Sequence, residues 1–224
     1  MANVVIVHGM WSGGWYFRPV ARQLRAAGHE VYSPTLTGVG ERVHLGTPTT
    51  DLVTHVTDIV NVLEYEDLRD VVLVGYSYGG VVITVVADRV PQRVGQLVYL
   101  DAWVPKNGEA LADLVPEAAS RFAEIARETG DGWRVPRDPP ALRRTPHPLR
   151  SLLQPAVLEN ESATMKIPRT YVRFTRNSLY HAPVMATTAR EARAAGWRVK
   201  ELDADHNAPE THPRELAELL LDLL

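Results

Sequence analysis

Unbroken apolar runs recur along this chain, and helically spaced apolar positions fill most of the intervals between them. Residues 4–7, 71–74 and 97–100 are such runs, the pattern of strands buried on both faces. Residues 30–33, 170–174 and 198–202 read as three further strands. Tyr16, Val20 and Leu24 fall on one face of a helix over 15–27 that Gly28 stops. Leu52, Val56, Ile59, Val60 and Leu63 predict a second helix at about 50–66, with Asp51 in its first turn. The run at 81–87 is β-branched, yet Asp88, Arg89 and Pro91 follow it, so it reads as a buried helix. Helices are also expected at about 182–195, stopped by Gly196, and from Pro213 onward, where Leu216, Leu219, Leu220 and Leu223 line one side. Strands alternating with helices predict an α/β fold, a mostly parallel sheet with helices on both faces.

Between residue 105 and about 165 the alternation lapses. Prolines at 116, 136, 139, 140, 146, 148 and 155 interrupt short helical pieces such as 117–128. The stretch is too long for a plain loop inside a compact domain. It reads as a small helical cap, at about 105–165, inserted between two strands of a single domain spanning 1–224.

Composition narrows the function. The 224 residues are 45% hydrophobic and 23% charged, with a net charge of -3 and no basic stripe. Nucleic acid and anionic membranes therefore have no electrostatic handle, and the expected partner is a small-molecule substrate. There is no cysteine, which removes disulfides, thiolate metal sites and a Cys nucleophile together. Met1-Ala2-Asn3 leads directly into the first strand without a basic or leader-length apolar segment, so a cytoplasmic location is expected. No stretch approaches membrane-spanning length.

The chemistry centres on Gly75-Tyr76-Ser77-Tyr78-Gly79-Gly80, which follows one predicted strand and opens a predicted helix. In that context G-x-S-x-G describes a sharp turn that lifts the Ser77 hydroxyl clear of the sheet and directs the Tyr78 N–H toward a forming oxyanion. Serine needs a base, and His206, in the polar turn after the last strand, is the best-placed candidate. His29, His44 and His55 read as surface or loop residues; His181 and His212 carry no motif. His8-Gly9-Met10 also ends a strand, and His8 reads as a loop-shaping residue. HExxH, GxGxxG and P-loop patterns are absent, so neither metal nor cofactor is expected.

Taken together, residues 7–15, Leu36-Thr37-Gly38-Val39-Gly40-Glu41-Arg42, the Ser77 turn, residues 99–105, Thr145-Pro146-His147-Pro148-Leu149 and Asp205-His206 resemble the α/β-hydrolases. The likeness is to the branch holding plant methylesterases, hydroxynitrile lyases and bacterial carboxylesterases such as pyrethroid hydrolases. It implies a cofactor-independent serine hydrolase of small carboxylic esters, thioesters or lactones that works through an acyl-enzyme, with the Met10 and Tyr78 N–H groups holding the oxyanion. One position departs from the pattern. Where the family usually carries its acid, this chain has Phe174-Thr175-Arg176-Asn177. Either Asp101, at the end of the neighbouring strand, supplies the acid, or Asn177 merely orients the ring of a slow enzyme. Lyases of the branch place Thr where Gly9 stands and Lys where Asn207 stands, which disfavours lyase chemistry. Trp11, Tyr76, Tyr78 and Trp103 flank the expected chemistry, and Trp11, Tyr76, Trp103 and His147 are the expected substrate-pocket residues. Arg42 and Arg176 read as solvated, with binding of an acidic substrate group as the alternative. A non-catalytic small-molecule binder and a biosynthetic tailoring enzyme are the competing readings.

Overall fold

A computed structural model of the chain describes residues 1–137 and 142–224, so Pro139 and Pro140 of the proline-broken stretch lie outside the described residues. The strands are β1 (Asn3–Val7), β2 (Glu30–Tyr32), β3 (Val71–Tyr76), β4 (Val94–Leu100), β5 (Arg134–Val135), β6 (His147–Pro148), β7 (Arg169–Phe174) and β8 (Arg198–Leu202). The helices are α1 (Arg18–Ala26), α2 (Leu52–Tyr65), α3 (Gly79–Arg89), α4 (Leu111–Leu114), α5 (Pro116–Thr129), α6 (Arg150–Leu153), α7 (Glu161–Thr164), α8 (Ala182–Ala194), α9 (Ala208–Thr211) and α10 (Pro213–Leu221). Six strands form one sheet in the order β2-β1-β3-β4-β7-β8, with every neighbouring pair parallel.

The apolar runs explain this sheet. Side chains alternate faces along a strand, so a run without polar breaks fills a core on each side. Val5, Leu73, Leu97, Tyr99 and Tyr171 pack with α2, α3 and α8. Val4, Ile6, Val74, Val98, Leu100, Val172 and Phe174 pack with α1 and α10. Burial also settles α3. Its β-branched residues are poor helix formers in isolation, but almost all of them are enclosed, and tertiary packing outweighs propensity. At the start of α2, the Asp51 carboxylate accepts from the Thr54 N–H at 3.0 Å, which fixes where that helix begins.

Between β4 and β7 the chain leaves the sheet as α4 to α7 and the antiparallel β5–β6 pair. The ends of this excursion are stitched together: Gly108 N–H donates to Ala156 O at 2.8 Å, and Ala156 N–H to Glu109 O at 2.9 Å. Asp88 of α3 anchors it from below, accepting from the N–H groups of Glu159 and Asn160 at 2.8 Å each. The Trp11 indole reaches up to Val135 O at 2.8 Å. From β1 the chain runs to β2 on one side, and β3 lies on the other. Ligands of open parallel sheets collect at the carboxyl ends beside such a reversal, where β1 delivers His8 and Gly9 and β3 delivers Ser77. No helix of the described residues is long and apolar enough to cross a membrane.

Candidate active site

Ser77 occupies a left-handed backbone conformation, φ 54°, between the last residue of β3 and the first turn of α3. A non-glycine residue held there is strained, and the surroundings explain why it stays. A Cβ on Gly75 would stand 2.7 Å from Gly79 O, and one on Gly79 would stand 2.3 Å from Val7 O. Only glycines let the strand, the turn and the end of β1 pack this closely. The turn is closed by Gly80 N–H donating to Ser77 O at 3.0 Å.

His206 Nε2 lies 3.1 Å from Ser77 Oγ, and His206 Nδ1 lies 2.7 Å from Asp101 Oδ2. Three residues scattered through the sequence thus meet in one hydrogen-bonded line. Asp101 is fully buried at the end of β4, with φ 41°. Its Oδ1 accepts from Phe174 N–H at 3.2 Å and its Oδ2 from the Asn177 amide at 2.6 Å. The structure therefore brings Asp101 to the imidazole and sets Asn177 behind the carboxylate. His206 is steadied from below as well: the Tyr76 hydroxyl donates to His206 O at 2.7 Å, and the two rings lie 5.0 Å apart.

Met10 lines the cavity above Ser77. Among the described residues, neither the Met10 nor the Tyr78 backbone N–H donates to another backbone group. The cavity measures about 260 Å³, and Trp11, Tyr76, Trp103, Leu179, Tyr180, His181 and Asn207 form its walls with Arg137 and Arg144. An apolar cleft of about 690 Å³ under α5 shares Trp11 and Tyr180 with it and adds Val115, Phe122 and Val184.

Several expectations from sequence need correction. His147 does not line this cavity. It is fully buried, its Nε2 lies 3.0 Å from Ser151 Oγ, and its ring packs edge-on against Tyr78. The Tyr78 side chain is likewise enclosed, 2.8 Å from His55 Nδ1, and is no wall of the cavity. His55 is no surface residue: it is fully buried, with Nε2 donating to Thr37 O at 2.9 Å, so Nδ1 accepts from the Tyr78 hydroxyl. His8 is buried and shapes its loop. Its Nε2 accepts from Leu36 N–H at 3.1 Å, which leaves Nδ1 to donate to Gly9 O at 2.8 Å. Burial pushes both His8 and His55 down to about 4. Arg42 pairs with Asp58, and Arg176 pairs with Asp203; neither reaches the cavity.

Sequence reasoning missed Arg137, Arg144, Leu179 and Tyr180 and gave His181 no role. All of them sit on connections rather than on sheet strands. The ring of His181 stands 4.4 Å from that of His206, and neither of its nitrogens has a hydrogen-bond partner among the described residues. Burial, then the neighbouring His206, pushes it down to about 3, so it is neutral in ordinary buffers. Asp101, His181 and His206 each offer a ligand atom within 4.8 Å of the others.

Comparison with known proteins identifies the family and the fold. Residues 4–219 match the alpha/beta hydrolase family. The chain is 37% identical, over the full length of both proteins, to a carbendazim hydrolyzing esterase of Nocardioides sp. (strain SG-4G). It is 29% identical to Methylesterase 10 of Arabidopsis thaliana, over 54% of this chain and 45% of that one. Among solved structures, an extracellular alpha/beta-hydrolase from a Paenibacillus species superposes with a TM-score of 0.85 at 24% identity, covering 99% of this chain and 98% of that one.

Proposed function

The chain belongs to the alpha/beta hydrolase family, and from that premise we propose that it hydrolyses a small carboxylic ester, thioester or lactone through a Ser77 acyl-enzyme. The observation that carries this reading is the continuous line Ser77 Oγ–His206 Nε2, His206 Nδ1–Asp101 Oδ2, at 3.1 and 2.7 Å.

Each group then has one task. Ser77 gives its proton to His206 Nε2 as Oγ attacks the carbonyl carbon. Asp101 accepts from Nδ1, holds the ring in the tautomer that leaves Nε2 free, and stabilises the imidazolium that forms. The Met10 and Tyr78 N–H groups receive the negative oxygen, and the partial positive charge at the start of α3 adds to them. His206 returns the proton to the departing alkoxide. A water activated by the same nitrogen then releases the acid. Met10, Trp11, Trp103 and Leu179 supply the apolar wall for the acyl part, and the cleft under α5 suits a larger alcohol part. The segment between β4 and β7 acts as a cap: it supplies Trp103, Arg137 and Arg144 to the Ser77 cavity and most of the lining of the cleft under α5.

A pure binder has no need for an aligned base and acid behind the serine, so the same line favours turnover over reception. The test is hydrolysis of p-nitrophenyl acetate and butyrate beside Ser77→Ala. Serine-dependent turnover, with labelling of Ser77 by a fluorophosphonate, is the expected result. Neither turnover nor labelling would point to the receptor reading.

A further inference from the structure

The walls of the Ser77 cavity carry two arginines, Arg137 and Arg144, and no Asp or Glu among the described residues. Arg144 is the informative one. Its side chain is about nine-tenths buried, with its guanidinium centre 4.2 Å above the ring of Tyr16. Its ion-pair partner among the described residues is Glu210, 3.7 Å away, and that carboxylate is 66% exposed. A buried cation normally keeps a close, enclosed counter-charge, because desolvation of the charge is otherwise uncompensated. Here the partner is a loose pair at 3.7 Å and largely in water. Asp101, the nearest fully buried acid of the site, is already engaged by His206, Asn177 and Phe174. Tyr16, beneath the guanidinium, is in turn fixed by its hydroxyl donating to Asn207 Oδ1 at 3.2 Å, directly after His206 in the chain. The guanidinium is thus stacked and oriented on a rigid platform beside the base, with hydrogen-bonding capacity left for a planar anion.

We infer that Arg144 is a substrate-recognition residue for a carboxylate that the ester carries in addition to its scissile group, so that the preferred substrates are half-esters or other acidic esters. This rests on the hydrolase reading above, and it narrows that reading from small esters at large to those with a second, anionic end. The carboxylate docks bidentately on the guanidinium while the scissile carbonyl faces Ser77. The cationic walls also raise the local concentration of an anionic substrate.

The test compares monomethyl glutarate and monomethyl adipate with methyl pentanoate and methyl hexanoate, neutral esters of similar length. The wild-type protein is expected to favour the acidic member of at least one pair by about tenfold or more in kcat/KM. Arg144→Met should abolish that preference, and Arg144→Lys, which keeps the charge without the planar fork, should restore part of it. Binding is measured separately, by calorimetry of monomethyl adipate with the Ser77→Ala protein and with Ser77→Ala/Arg144→Met. Binding lost only in the double variant supports the subsite even if no ester is turned over, in which case the hydrolase reading alone fails. Equal kcat/KM for acidic and neutral esters overturns the inference, as does equal binding with and without Arg144. It is also overturned if butyrate, whose carboxylate is the one hydrolysis releases, inhibits through Arg144 as strongly as adipate does; the arginine would then hold the product.

Discussion

Asn177 donates its amide to Asp101 Oδ2 at 2.6 Å, and that same oxygen stands 2.7 Å from His206 Nδ1. The residue at the usual acid position has become a support for a carboxylate arriving from another strand. The two are unequal in consequence. Asp101→Asn leaves the ring without a negative partner and with its tautomer unset, a change that lowers kcat by about 10⁴ in the serine-protease version of this arrangement. Asn177→Ala removes one hydrogen bond to the carboxylate, on the order of 1 kcal/mol, and should lower kcat by tenfold or less. Turnover of p-nitrophenyl acetate by the two variants measures the difference. The reverse order of severity would move the acid role to Asn177's neighbourhood.

Gly9 is under a tighter constraint than its place in a loop suggests. A Cβ there would stand 2.9 Å from the Ser77 Cβ and 3.1 Å from the Tyr76 ring. Neither neighbour is a free chain end, because Ser77 is locked in its turn and Tyr76 is tied to His206. Gly9→Ala should lower stability by about 1–3 kcal/mol through overpacking, visible as a drop in Tm of several degrees. It should also slow fluorophosphonate labelling of Ser77. Unchanged labelling would show that the Ser77 turn is softer than its contacts imply.

The sheet and the elbow were legible because each announces itself locally. Uninterrupted apolar runs specify two-faced strands, and a glycine-flanked serine between a strand and a helix specifies the turn. The proposed acid was not legible to that degree: Asp101 directly follows β4 and Asn177 lies three residues past β7, and only their relative directions separate a partner of His206 from a partner of Asp101. His55 was misread although a local signal existed. It lies three residues after Leu52 and four before Ile59, on the buried stripe of α2. Arg144 and His181 had no such signal. They reach the cavity from a proline-broken excursion and a post-strand loop, where no periodicity says which way a side chain points.

Asp88 shows how the excursion between β4 and β7 is held to the domain. Its buried carboxylate accepts two backbone N–H groups, from Glu159 and Asn160, and the Asn160 side-chain amide donates to Asp88 O at 3.0 Å. Asp88→Ala leaves both N–H groups unpaired at a part-buried site, about 1–3 kcal/mol for each such group. The expected result is a Tm lower by roughly 4–24 °C for a total of about 2–6 kcal/mol in a chain of this size, with faster proteolytic cleavage near residues 157–166. A normal Tm with normal protease resistance would mean that the Gly108–Ala156 stitch holds the segment alone.

Acid should unfold this protein through its buried histidines. His8 and His55 are pushed down to about 4 by burial, against about 6.5 in an unfolded chain, and His147 is lowered as well. Between pH 6.5 and 4 the unfolded chain holds those protons and the folded chain does not. Their contribution to stability is therefore complete above pH 6.5 and is lost as the pH falls toward 4. Each histidine adds up to ~1.4 kcal/mol per pH unit to the slope in that window. Urea unfolding at pH 7, 6 and 5 measures it. His55→Gln strains the Tyr78 and Thr37 contacts and should be less stable at pH 7, yet its stability should fall more shallowly, by about 1.4 kcal/mol per unit for the one lost titration. A variant as steep as the wild-type protein would show that His55 is protonated, or released to solvent, in the folded state, contrary to its two internal hydrogen bonds.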